Sequence, residues 1–402
     1  MNRTGVLVDV LVIGAGPAGL ALAARLAGAG AGRVEVLERE QEAGGVPRHC
    51  HHRGFGRPPR PWLRGPAYAR QLVEAAVGAG AVVRTGVTAT GWAGPLCLET
   101  TGPGGLERIT ARAVVLATGA RERPRSARLV PGSRPAGVLT TGELQQSVHL
   151  YGQSVGRRAV VVGAEPVARH AVRTLRRAGA EVVAVVTDRS RGVAPAGAPL
   201  LTNTTVAQLR GRGRLSGVAV RHEDGRTGVL ACDTVVFTGD WIPDHELARR
   251  GGVALDPGTR GPCVDASFRT KAPGVFAVGN TLHGIERAAT AAAEGAAAAT
   301  PVLARLAGAP WPDAGPPLVV RAPLVWVVPN RVTDATGGAG RPLLLRSGTP
   351  LNGTVVTVRQ DGRRLWRGWF PGPVSPSRSL WLPPSSTHRV DRAGGPVVMG
   401  LA

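Results

Sequence analysis

The sequence predicts an α/β fold: two strand–turn–helix–strand units, one inserted in the other, with a small all-β module at the C-terminal end. Three observations predict it. An apolar run, a Gly-rich turn and a helical pattern open the chain, and the same succession returns at Arg158. Beyond residue 310 the hydrophobic period changes to two. Repeated strand–helix–strand units imply parallel sheets with helices on their faces, whereas period two implies strands with one solvated face.

The elements follow in order. Val8 to Ile13 reads as a strand, Gly14 to Gly19 as a turn, Leu20 to Ala29 as a helix and Arg33 to Leu37 as the next strand. In the second unit the strand is Ala159 to Val162, the helix Val167 to Arg177 and the following strand Glu181 to Thr187. Ala111 to Ala117, Thr234 to Phe237 and Gly274 to Val278 are further apolar strands. Pro310, Pro312, Pro316 and Pro317 make a stiff connection. After it, Thr354 to Arg359 and Arg363 to Trp369 alternate around Asp361-Gly362, a hairpin signal. The expected domains are 1–150 and 246–310 (one split domain), 151–245 (the insertion) and 316–402 (the β module).

Composition sets limits. The 402 residues allow two or three domains, and 43% hydrophobic content fits a water-soluble globular protein. A net charge of +22 suggests an anionic partner, yet Lys271 is the only lysine among 49 basic residues, and aromatics are 4%. That is an arginine bias spread along the chain rather than a basic patch interleaved with stacking rings, so nucleic acid is not the expected partner. Cys50, Cys97, Cys232 and Cys263 lie far apart without CxxC spacing, which signals neither zinc nor a redox disulfide and fits a cytoplasmic protein. His49, His51 and His52 lack companion ligands, so no metal is expected. The N-terminus lacks the charged start and unbroken apolar core of a leader. Ala288 to Ala299, interrupted by Glu294 and Gly295, is too short and polar to span a bilayer.

Gly14-Ala15-Gly16-Pro17-Ala18-Gly19 fits G-x-G-x-x-G. Gly14 permits the tight turn, Gly16 lets backbone approach a pyrophosphate, and Gly19 lets the helix lie close on the strand. The helix N-terminus then meets the phosphates with its positive end. Glu38, closing the next strand, is placed to accept hydrogen bonds from ribose hydroxyls. A glycine-rich turn in a glycine-rich chain is the plainer explanation, but it does not account for strand, helix and acid together. The fold expected is therefore two Rossmann-like dinucleotide-binding domains.

On these residues the chain resembles flavoproteins of the thioredoxin-reductase-like, two-dinucleotide-domain class. Glu38 to Gly45 (EREQEAGG), Val114 to Gly119 (VVLATG) and Thr270 to Asn280 (TKAPGVFAVGN) carry the resemblance, over about residues 6 to 300. It implies FAD, with Arg39, Gly45, Thr118, Gly119, Gly279 and Asn280 joining the glycines and Glu38 at the cofactor. Asn280 stands where the class normally has an acidic residue near the ribityl chain. Gly44 to Gly56 (GGVPRHCHHRGFG), Gly119 to Gly142 and Gly279 to Glu286 (GNTLHGIE) narrow the likeness. They resemble the flavoprotein alpha subunits of opine oxidase, dye-linked proline dehydrogenase and hydrogen cyanide synthase. Such subunits imply a small-molecule substrate and a second flavoprotein or electron-acceptor subunit.

Two departures from the class stand out. No cysteine lies beyond Cys263, so the [2Fe–2S] module that such subunits often carry is not expected here. In the second motif, Gly163-Ala164-Glu165-Pro166-Val167-Ala168, Glu165 replaces the glycine that admits a pyrophosphate. Asp188 could meet a ribose, but Arg189 and Arg191 confuse NAD with NADP, and nicotinamide use stays open. Without a thiol pair, disulfide reduction is not expected.

Three candidates remain for chemistry. Cys50, among Arg48, His49, His51 and His52, is a thiolate candidate near the flavin, or a spare thiol in a polar loop. His283 and Glu286 are a proton-handling pair, or cap and surface residues of the following helix. Trp366, Trp369 and Trp381 with the arginines of the β module mark it as a docking surface. The alternative is that the module packs on its own FAD domain. The function expected is an FAD-dependent oxidoreductase, an electron-transferring subunit of an amine, imino-acid or hydroxy-acid dehydrogenase. A self-sufficient NAD(P)H-dependent flavin reductase and a non-catalytic FAD scaffold are the rivals.

Overall fold

The computed structural model describes residues 3–56, 62–192, 194–284, 286–313, 315–333 and 341–402. Among them are six helices: α1 (Pro17–Gly28), α2 (Gly65–Gly78), α3 (Thr141–His149), α4 (Pro166–Arg177), α5 (Glu246–Arg250) and α6 (Ala288–Leu306). The chain divides into two compact units.

The first unit comprises Met1–Arg48, Gly54–Ala120 and Ile242–Ala402. Its seven-stranded sheet runs Val82–Thr85, Val34–Glu38, Arg3–Ile13, Gly105–Leu116, Cys97–Gly102, Thr88–Gly94, with Val275–Ala277 also on Gly105–Leu116. Val10, Leu11 and Val12 are fully buried, as a parallel strand covered on both faces must be. Small residues bring α6 against α1: a Cβ on Gly295 would stand 1.9 Å from the Ala18 carbonyl oxygen. The Ala-rich stretch that is too polar for a membrane is thus a packing surface, and among the described residues no helix is long and apolar enough to cross one.

The β module has two sheets. One orders Leu318–Val320, Val397–Leu401, Leu351–Gln360 and Arg363–Val374; the other orders Leu324–Val328, Leu343–Ser347 and Leu380–Leu382. Asp361 and Gly362, both at positive φ, make the expected hairpin turn, with Gln360 opposite Arg363. Leu345, Val356, Val358, Leu382, Val397 and Met399 form its buried core. The module is continuous with the first unit. Val264 N–H donates to Asn330 Oδ1 at 3.1 Å, and Thr333 Oγ1 to the buried Asp265 at 2.9 Å.

The second unit comprises His49–Arg53 and Arg121–Trp241. Its parallel sheet orders Val138–Thr140, Thr234–Phe237, Arg158–Val162, Glu181–Val186 and Leu200–Leu201. An antiparallel sheet of Thr204–Arg212, Arg214–His222 and Thr227–Ala231 accompanies it. The boundary expected at residue 150 moves to 121, because Val138–Thr140 pairs with Thr234–Phe237 and carries α3 with it. The strand is three residues long, too short for its period to declare its sheet. Thr140 and Glu143 form a capping box on α3.

Candidate functional site

In the first unit the strand Arg3–Ile13 delivers the chain to Gly14, whose N–H donates to Leu37 O at 2.8 Å. Gly14 holds φ +107°, and a Cβ there would stand 2.4 Å from the Ala117 carbonyl oxygen. Gly19 is as constrained: its Cβ would meet Gly14 O at 2.0 Å. Gly16 differs. It is the N-cap of α1, in extended backbone, and a Cβ on it would touch nothing within 4 Å. Two glycines are thus required by the protein itself, and the third faces open space at a helix N-terminus. Pro17 opens the helix, whose first turn carries no acidic residue. The unpaired N–H groups and the dipole suit an anion there.

Glu38 is fixed beside this loop. Ala15 N–H donates to its Oε2 at 3.1 Å and Glu40 N–H to its Oε1 at 3.0 Å. Gly44 N–H donates to Ala15 O at 2.8 Å, and a Cβ on Gly45 would lie 2.9 Å from Gly16 Cα, so the turn after Glu38 closes onto the loop. Gly279 stands over α1, its Cβ position 2.6 Å from that of Ala18. Thr118 Oγ1 donates to Asp244 O at 2.6 Å and lies 2.9 Å from Thr281 Oγ1, while Gly119 O accepts from Asp244 N–H at 2.8 Å. Exposed Arg39 pairs with Asp244 at 3.0 Å. Gly14, Gly16, Gly19, Glu38, Gly45 and Gly279 thus come together, and an open cradle with a carboxylate at its rim fits a dinucleotide. Asp244, which with Thr281 holds the Thr118 turn, lies too far from any motif for spacing to have pointed to it, whereas Thr281 falls inside the GNTLHGIE stretch.

Asn280 is otherwise engaged. Its Nδ2 donates to Glu286 O and its Oδ1 accepts from Glu286 N–H, both at 3.1 Å, which closes the loop between them. His283 and Glu286 do not form a pair on the surface of a helix. His283 is fully buried, stacks on Trp326 and lies 3.0 Å from Glu294. Burial alone would lower its pKa, but Glu294 outweighs it and leaves the pKa raised. Burial likewise favours protonated Glu294, and His283 and Arg341 reverse that. Glu286 accepts from Arg346 at 2.6 Å and Ser379 at 2.5 Å. Both residues therefore tie the loop after Gly279 to the β module. A lone carboxylate in an Ala-rich helix, Glu294, was the sequence signal for this network. Among the module's tryptophans, Trp366 packs against the core, whereas Trp369 is 68% and Trp381 50% exposed.

Cys50 falls in the second unit. Its Sγ donates to Gln145 Oε1 at 3.4 Å, and burial, helped by the Glu122 carboxylate, pushes the thiol up to about 12. This is opposite to the expected thiolate. His51 stacks on His149 and His52 on His170, and Arg48 donates to Glu42 O. Burial, then His52, depresses His170 to about 4, so cationic help from that imidazole is absent near neutrality. Near pH 8 Cys50 is therefore held in the thiol form. Iodoacetamide should leave Cys50 unlabelled in the native protein at that pH and label it after unfolding. Rapid stoichiometric native labelling, seen by mass spectrometry, would contradict this.

The second loop shares the frame of the first but not its opening. Gly163 holds φ +116° and its N–H donates to Val186 O at 2.8 Å. Ala168 is fully buried on α4, and Asp188 is exposed beyond Glu181–Val186. Thr238 Oγ1 donates to Glu165 Oε2 at 2.8 Å. The carboxylate lies between two glycines: a Cβ on Gly163 would stand 2.5 Å from Oε2, and one on Gly239 2.9 Å from Cδ.

The chain is 31% identical over 260 residues to the alpha subunit of sarcosine oxidase from Rhizobium meliloti, covering 61% of this chain and 25% of that one. It is 35% identical over 166 residues to an opine oxidase subunit of Agrobacterium tumefaciens, 39% of this chain and 32% of that one. The chain thus spans only a quarter to a third of these relatives. Thioredoxin reductase of T. acidophilum superposes with a TM-score of 0.62 at 23% identity, over 75% of this chain and 99% of that one. L-Proline dehydrogenase of P. horikoshii does so with 0.56 at 20%, over 76% and 57%. Both structural likenesses bear on the fold. The family model of pyridine nucleotide-disulphide oxidoreductases matches residues 8–295. The chain belongs to the pyridine nucleotide-disulphide oxidoreductase family, as an FAD-dependent oxidoreductase.

Proposed function

We propose that the chain is the electron-transferring flavoprotein of an amine, imino-acid or hydroxy-acid dehydrogenase assembly, and that it does not reduce disulfides. The observation carrying this is the contrast between its loops: the first is open at Gly16, and the second is filled by Glu165. All four cysteines are free, and Cys50 and Cys232 are buried. A flavin here has neither a thiol pair nor an open nicotinamide site in its own chain. Two relatives whose names mark them as subunits of sarcosine and opine oxidases support a substrate with an oxidisable C–N bond and an external electron partner.

Bound FAD supplies two-electron redox chemistry. The protein supplies the rest. The α1 N-terminus and Gly16 would hold the pyrophosphate, Glu38 would orient the ribose, and Gly45 and Gly279 would close the cradle. Anaerobic titration of the purified yellow protein tests the proposal. Secondary amines, imino acids or 2-hydroxy acids should bleach the flavin when the partner flavoprotein is present, and NADH and NADPH should not. Fast bleaching by NADH alone, or turnover with a disulfide, would replace the proposal with a reductase.

A further inference from the structure

The fold family brings a second dinucleotide loop, and the residues on it do not fit a dinucleotide. The comparison is internal to the chain. Both loops hang from the same hydrogen bond, Gly14 to Leu37 O and Gly163 to Val186 O, each 2.8 Å. The first glycine of each loop, Gly14 and Gly163, sits at positive φ, and both helices begin with Pro after the N-cap residue. They part at the N-cap. Gly16 presents no side chain and nothing near its Cβ position, whereas Glu165 turns its carboxylate back to Thr238 and over Gly163 and Gly239.

That carboxylate lies across the ends of Arg158–Val162 and Thr234–Phe237, two neighbouring strands of the parallel sheet. The crevice at the carboxyl ends of such strands is where this architecture takes its ligands. A pyrophosphate entering there meets both the bulk of Glu165 and a like charge. We infer that Glu165 is the specificity residue that bars pyridine dinucleotides from the second unit, an internal anion held where a phosphate would lie. The inference rests on the same reading of the second loop that carries the proposed function, and it is read by binding rather than by flavin reduction.

Equilibrium binding of NADH and NADPH to the holoprotein tests it, by calorimetry or nicotinamide fluorescence. Wild type should show no saturation below millimolar concentration. Glu165→Gly should bind at least about 30-fold more tightly, about 2 kcal/mol. Glycine is well tolerated at an N-cap, so α4 should survive the change. Glu165→Gln, which keeps the bulk and removes the charge, should gain about threefold or more, and carries the test alone should the glycine variant misfold. Micromolar affinity in wild type, or no gain in a folded variant, would overturn the inference. Bleaching by non-nicotinamide donors, followed on the same samples, reads the proposed function separately.

Discussion

Gly16→Val should empty the protein of FAD without unfolding it. Wild type is expected to purify yellow, with one FAD per chain. At the N-cap of α1 the backbone is extended, which a β-branched residue adopts without strain, and the new Cβ would meet no protein atom. What it would meet is the pyrophosphate. Affinity should fall by at least about 100-fold, about 2.7 kcal/mol, while circular dichroism keeps its native shape. Gly14→Ala and Gly19→Ala make the contrast. Their methyl groups would stand 2.4 Å from Ala117 O and 2.0 Å from Gly14 O, so these variants should lose the fold and not merely the ligand. Stoichiometric FAD in a folded Gly16→Val would remove the loop from the cofactor site.

How far the sequence spoke depended on how local each feature is. The first loop was legible because three glycines, a helix start and Glu38 lie within 25 residues, and each answers to a separate demand of turn or packing. The hairpin at Asp361-Gly362 was legible for the same reason, since two residues decide the turn. Spacing leaves Cys50 open between a thiolate and a spare thiol, because its neighbours suggest charge while its pKa is set by burial, which spacing cannot report. His283 and Glu286 are legible as candidates, but their partners Glu294 and Arg346 lie 11 and 60 residues away along the chain. Glu165 was recognised as an obstruction from its position alone. That it is held there needed Thr238, 73 residues on.

Removing residues 316–402 should cost the first unit its fold, and FAD with it. The tryptophans and arginines of the module invite a reading as a docking surface, but the structure engages the module with the cofactor domain. Truncation would strip Arg346 and Ser379 from Glu286, Arg341 from Glu294, Trp326 from His283, Thr333 from Asp265 and Asn330 from Val264. Losing one partner of a buried ion pair costs about 3–5 kcal/mol, against a total stability of about 5–15 kcal/mol. Several such losses together exceed what the unit can bear. A milder variant grades the effect: Arg346→Met leaves Glu286 without its guanidinium and should destabilise by about 3 kcal/mol, read from denaturant unfolding. The His283–Glu294 pair adds a pH signature. The raised His283 pKa gives stability that is complete below its ordinary 6.5 and lost as pH rises through the folded value. The lowered Glu294 pKa gives stability that is complete above its ordinary 4.5 and lost as pH falls through the folded value. Their joint contribution is therefore full between those two pH values, and Glu294→Gln should flatten the profile on both sides. A truncated chain that stays monomeric and yellow and melts like the full-length protein would return the module to the role of a separate docking body.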